Sequence, residues 1–133
     1  MDFSEIKSSA DLERISKGGR WQNFEQLAAF IFEENGFKAK VNVVKMFGKK
    51  RRQYDVLAEK GNKLYAVDCK KWSGSRYRLS AIKTAVKKHK ERCIRLEGAA
   101  IPLIVTLIEE EIQTYKDVPI VPMQKLNAFL QEE

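Results

Sequence analysis

Two aspartates and a lysine, Asp55, Asp68 and Lys70, are the residues of this sequence most clearly spaced for chemistry. They lie in Gln53–Trp72, where the β-rich runs YDVLAEK and KLYAVDCKKW flank Gly61-Asn62, a two-residue turn of the tight-hairpin kind. With Gly61 and Asn62 as the loop, Lys60 pairs with Lys63 and Asp55 falls directly across from Asp68. Side chains alternate along a strand, so Lys70 shares the face of Asp68. Like charges opposed in a sheet cost roughly 0.2–1 kcal/mol unless something neutralises them. Two carboxylates and an ammonium converging on one face therefore predict a divalent metal site.

The elements around the hairpin must position these groups. Upstream, Phe24, Leu27, Ala28 and Ile31 recur at helical spacing and predict a helix over Trp21–Asn35, stopped by Asn35-Gly36. Glu25 sits beside that apolar stripe in the first turn. It either complements the helix dipole or adds a third carboxylate aimed at the hairpin. Phe37–Phe47 alternates as a strand, and Lys49-Lys50-Arg51-Arg52 reads as a basic turn into the hairpin, giving three antiparallel strands in a row. Downstream, Ser73-Gly74-Ser75 is a turn and Leu79–Glu97 a helix with Leu79, Ile82, Val86, Cys93 and Leu96 on one face. His89, the single histidine, falls on that stripe and reads as a packing residue. Ile101–Ile108 reads as a buried parallel strand, Glu109–Asp117 as a polar connection, Val118–Val121 as a last strand and Met123–Leu130 as a closing helix. The fold class is thus α/β, a central mixed sheet of three antiparallel strands followed by parallel strands, flanked by helices. Residues 1–18, with a short helix over Ser9–Ser16 broken by Gly18-Gly19, form an N-terminal helical arm, and 19–133 form a single domain.

Charge placement supports a polyanionic partner. The net charge is +7 over 133 residues. Lys38–Tyr54 holds seven Lys/Arg and no acid, and Lys70–Arg95 holds ten with Glu91 as the only acid. These stretches flank the carboxylate hairpin, and a positive field around a negative pocket suits a polyanion bound so that a metal meets its phosphates; the alternative is that the Lys/Arg runs are solvated surface. Lys49, Lys50, Arg51, Arg52, Lys71, Arg76, Arg78, Lys83 and Lys87 are the phosphate-contact candidates. Trp72 supports the site by packing or stacks on a base. No apolar run reaches the ~18–20 residues that span a bilayer, and the polar N-terminal stretch reads as neither signal nor transit peptide. A cytoplasmic location is the expectation. Two cysteines, Cys69 and Cys93, make no disulfide framework.

The ordered set of Phe24-Glu25 in a helix, Tyr54-Asp55 in one strand and Asp68-Cys69-Lys70 in the next resembles the PD-(D/E)XK nuclease superfamily, the restriction-endonuclease-like fold, over roughly residues 19–130. The helix ending in ENGF and the run VDCKKW look most like Mrr-type endonucleases and archaeal Holliday-junction resolvases. Tyr54 replaces the proline that names the motif, Asp68 stands where many relatives have Glu, and Glu25–Asp55 contains no Ser or Thr of the kind the resolvases imply.

The resemblance implies a Mg²⁺-dependent endonuclease acting on DNA, with Mn²⁺ able to substitute, either Mrr-like or selective for branched or junction DNA. Asp55, Asp68 and Glu25 would be the metal ligands, with the Cys69 carbonyl a further oxygen. Lys70 would orient or deprotonate the attacking water or stabilise the phosphorane. The resolvase likeness implies a homodimer. Two readings of other classes stand beside it: a nucleic-acid-binding module that keeps the fold without catalysis, and a structural subunit in which Lys70 neutralises the Asp pair.

Overall fold

The computed structural model describes residues 23–70, 78–94, 96, 100–107, 110 and 112–132. The expected N-terminal arm (1–18), the Ser73–Ser75 turn, Lys71, Trp72 and Arg76 lie outside them. The elements run α1 (Phe24–Glu34), β1 (Lys38–Phe47), β2 (Lys50–Lys60), β3 (Lys63–Lys70), α2 (Arg78–Ile94), β4 (Ile101–Thr106), β5 (Thr114–Tyr115), β6 (Val118–Pro122) and α3 (Met123–Glu132). The strands form a six-stranded mixed sheet in the order β1-β2-β3-β4-β6-β5. β1, β2 and β3 are antiparallel, whereas β3–β4 and β4–β6 are parallel. The α/β architecture is the expected one.

The sheet separates two helical layers. On one face α1 and α3 bury Leu27, Ile31, Phe32, Leu126 and Leu130 with Val56, Val67, Leu103 and Val105. The ring of Phe32 meets Phe37 edge-on at 5.2 Å. On the other face α2 packs Ile82 and Val86 against Ile104, Val118 and Ile120. Both hairpin turns start on a glycine with positive φ, Gly48 at 65° and Gly61 at 59°, a backbone that L side chains adopt at a cost.

Several boundaries differ from the sequence expectation. The basic segment Lys49–Arg52 is not a turn: the turn is Gly48-Lys49, and Lys50, Arg51 and Arg52 pair with Phe47, Met46 and Lys45 inside the β1–β2 ladder. A two-residue loop led by glycine lets pairing begin at once. Asn23 caps α1, its Oδ1 accepting from Gln26 N–H at 2.8 Å, so the helix starts at Phe24. α2 ends at Ile94, leaving Leu96 beyond it, and Leu79 is exposed instead of packed. The Glu109–Asp117 connection includes the short strand β5, paired to β6 through Lys116 and Asp117, which both have positive φ.

Candidate active site

The hairpin register holds from Lys60↔Lys63 to Val56↔Val67 and stops there, one residue short of Asp55 and Asp68. The cause lies across β2. The β1–β2 ladder keeps its register but skips Asn42 and Asp55, and Asn42 has φ 51°. Before this point Val41 and Val56 face the α1 side. After it Tyr54 packs with Ala66 and Cys93 on the α2 side, and Val43 stands near Leu57 and Leu96. Both strands therefore turn over at Asn42 and Asp55, an abrupt twist of the kind that re-aims a side chain beside a functional site. Asparagine tolerates the left-handed backbone this requires.

The twist opens a gap between β2 and β3 and points Asp55 into it. In an unbroken ladder Cys69 would exchange both backbone bonds with Tyr54. Instead its N–H donates to Asp55 Oδ2 at 2.7 Å. The Cys69 carbonyl leaves β3 on the same edge and faces the same gap, while the Lys70 carbonyl on the opposite edge accepts from Leu107 N–H at 3.1 Å.

Asp68 is 6% exposed, and its Oδ2 lies 3.4 Å from Lys70 Nζ. Burial pushes the Asp68 carboxyl up to about 7; Lys70 pulls it down, and the neighbouring Asp55 carboxylate pushes it up again. One half-exposed ammonium thus falls short of neutralising the buried acid beside a second carboxylate. Asp55, Asp68, Cys69 and Lys70 line one open cavity of about 420 Å³, and Glu25 reaches its wall from the first turn of α1. Glu25 thus lines the same cavity as the two hairpin acids.

Among the described residues no three His, Cys, Asp or Glu side chains stand close enough to hold an ion unaided. A closed structural zinc site would need four such ligands. Mg²⁺ takes one or two carboxylates and keeps waters and substrate oxygens for the rest. Two hard carboxylates and a carbonyl edge suit that second kind of ion.

Residues 17–106 match the restriction endonuclease family through its Mrr-type catalytic domain. The chain belongs to this family. An uncharacterized protein of Archaeoglobus fulgidus is 36% identical over 115 residues, covering 84% of this chain and 89% of that protein. Among solved structures, AF1548, a protein of unknown function, aligns at 27% identity and a TM-score of 0.46 over 62% of this chain and 45% of its own. Protein VC1899 from Vibrio cholerae aligns at 16% identity and a TM-score of 0.50 over 81% of this chain and 31% of its own, a likeness of fold. This chain spans less than half the length of each of those two solved chains.

In this nuclease domain the basic candidates divide. Arg51 and Arg52 line the carboxylate cavity. Lys49 and Lys50 sit at the exposed tip of the β1–β2 ribbon. Lys83 lies on the far side of α2, its Nζ 5.5 Å from the centre of the Tyr115 ring, and neither it nor the exposed Lys87 borders the cavity among the described residues. Arg78 opens α2.

Sequence reasoning missed Arg92, which enters the cavity from α2. Its signal was available: Arg92 stands three residues after His89, on the flank of the buried stripe. His89 itself is 1% exposed, with Nε2 2.6 Å from the Ala66 carbonyl. A carbonyl only accepts, so Nε2 carries the proton, and burial holds the imidazole pKa below its usual value. The histidine is a neutral prop behind β3. No helix among the described residues is long and apolar enough to cross a membrane.

Proposed function

We propose that this nuclease is a Mg²⁺-dependent endonuclease that hydrolyses DNA phosphodiester bonds at the cavity between β2 and β3. The observation that carries the reading is the opened hairpin, where Asp55 and Asp68 face one gap with the Lys70 ammonium 3.4 Å from Asp68. Asp55, Asp68 and the Cys69 carbonyl would hold the ion, with Glu25 as an outer ligand. When bound, the ion supplies an acidified water and positive charge against the phosphate oxygens.

The chain's own residues do the rest. The Cys69 N–H fixes the Asp55 carboxylate in place, so the ligand is oriented before substrate arrives. Lys70, held beside Asp68, donates toward the attacking water or toward the charge that grows on the phosphate. The basic ribbon around Arg51 and Arg52 attracts the backbone of the nucleic acid. The activity is Mrr-like or, as the resolvase likeness suggests, selective for branched or junction DNA, and a homodimer would supply one site per strand.

The test offers purified protein linear duplex, single-stranded and four-way-junction DNA with Mg²⁺, Mn²⁺ or EDTA. Cleavage that needs the metal is expected on at least one substrate. Salt-sensitive binding with no cleavage under any divalent ion would replace this reading with a non-catalytic binding module.

A further inference from the structure

Arg52 contains an atom that the fold leaves unexplained. Its Nε is buried and has no hydrogen-bond partner among the described residues, although the residue lines the carboxylate cavity. A buried donor without an acceptor has given up water for nothing, which is why such groups are rare and each calls for a reason.

Two further observations indicate what would satisfy it. The cross-strand partner of Arg52 is Lys45, a like-charge pair that sheets disfavour unless an anion is near. Arg92, carried by α2, lines the same cavity. Tyr54 Oη donates to the Arg92 carbonyl at 2.8 Å. Because Tyr54 directly precedes Asp55, that bond ties the backbone of Arg92 to the strand that carries the carboxylate. Among the described residues the ion pair in this cavity joins Lys70 to Asp68, so the cavity acids do not occupy the two guanidiniums.

We propose that Arg52 and Arg92 form a guanidinium clamp for the phosphate group that enters the carboxylate cavity, with Arg52 gripping it side-on through Nε and one Nη. The source of that phosphate, a nucleic-acid backbone, rests on the nuclease reading above. Two phosphate oxygens match the spacing of the guanidinium fork, and an ammonium has no fork to offer. Charge alone therefore does not replace Arg52. Tyr54 is a positioning residue for the second arm of the clamp.

The experiment measures binding of a labelled DNA duplex in EDTA, where nothing is cut, by fluorescence anisotropy over a range of salt. Arg52→Lys should weaken binding by about tenfold or more with an unchanged salt slope, because a charge-assisted bidentate contact is lost while the charge stays. Arg92→Gln should weaken binding and lower the salt slope by about one. Wild-type melting temperatures in both variants check the fold. In parallel, inorganic phosphate is titrated into the metal-free wild-type protein while the Arg52 Nε–Hε resonance is followed by NMR, and it should shift and saturate. Duplex binding by Arg52→Lys as tight as wild type, or an Arg52 Hε resonance unmoved by phosphate, would overturn the clamp. A protein that binds phosphate through Arg52 yet cuts no nucleic acid would refute the nuclease reading and leave the clamp standing.

Discussion

Asp68→Asn should make the metal-free protein more stable at pH 8 while removing its response to Mg²⁺. Burial raises the Asp68 carboxyl to about 7 from an ordinary 3.8. An acid whose folded pKa is raised holds its proton more tightly in the folded state. The stability it contributes is complete below pH 3.8 and is lost as pH rises through 7. Above pH 7 the folded protein carries an ionised, buried Asp68 at a disadvantage of roughly 4 kcal/mol, taking 1.36 kcal/mol per pKa unit. That value already includes the favourable Lys70 contact.

Asparagine imitates the protonated acid in shape and has no proton to lose. Residual structure in the unfolded chain and imperfect mimicry reduce the gain, so about 2–3 kcal/mol is expected at pH 8. For a chain of this size that is a rise in Tm of roughly 5–10 °C. The assay is urea and thermal unfolding of both proteins in EDTA at pH 5 and pH 8, repeated at pH 8 with Mg²⁺. The gap should shrink at pH 5, and Mg²⁺ should stabilise wild type alone. An Asp68→Asn protein less stable than wild type in EDTA at pH 8, or a gap independent of pH, would refute the reasoning.

Other consequences are equally open to measurement. Lys70→Met removes the one group that lowers the Asp68 pKa through its charge, so the Asp68 carboxyl should titrate above 7 when followed by carbon NMR; an unchanged titration would place Lys70 elsewhere in solution. Tyr54→Phe deletes the bond to the Arg92 carbonyl and should cost about 0.5–1.5 kcal/mol in urea unfolding. Burial holds the Cys93 thiol up at about 12 and the Cys69 thiol well above its usual value. Both thiols should resist Ellman's reagent at pH 8 until the protein unfolds, and rapid labelling of either in the native state would contradict its burial.

The hairpin was legible because a two-residue Gly-Asn loop sets a register and period-two alternation then assigns faces. That arithmetic survives to Val56↔Val67. It breaks at Asp55 because the β1–β2 ribbon turns over there, and nothing in the pattern of Val41, Asn42 and Val43 announces a left-handed asparagine. The break changes the site: the acids meet across a gap that the Cys69 N–H bridges, instead of across a regular ladder. The α1 stripe and its Asn35-Gly36 stop were clear from helical spacing, and so was the buried place of His89. Lys50–Arg52 were misread as a turn because a run of four basic residues resembles loop composition, whereas strand pairing tolerates exposed charges at a ribbon tip. Arg92 was lost within a stretch of ten cations, since charge density does not reveal which side chain turns toward the sheet. The two-residue strand β5 is too short to leave any periodic signal.

The central claim is that Asp55, Asp68 and Lys70 act together on a phosphodiester. It is tested most directly by initial rates of Mg²⁺-dependent DNA cleavage for wild type beside Asp55→Ala, Asp68→Ala and Lys70→Ala, on whichever substrate wild type cuts best. Each variant should retain its fold and lose about a hundredfold or more in rate. Cleavage within a few-fold of wild type in all three would contradict the account.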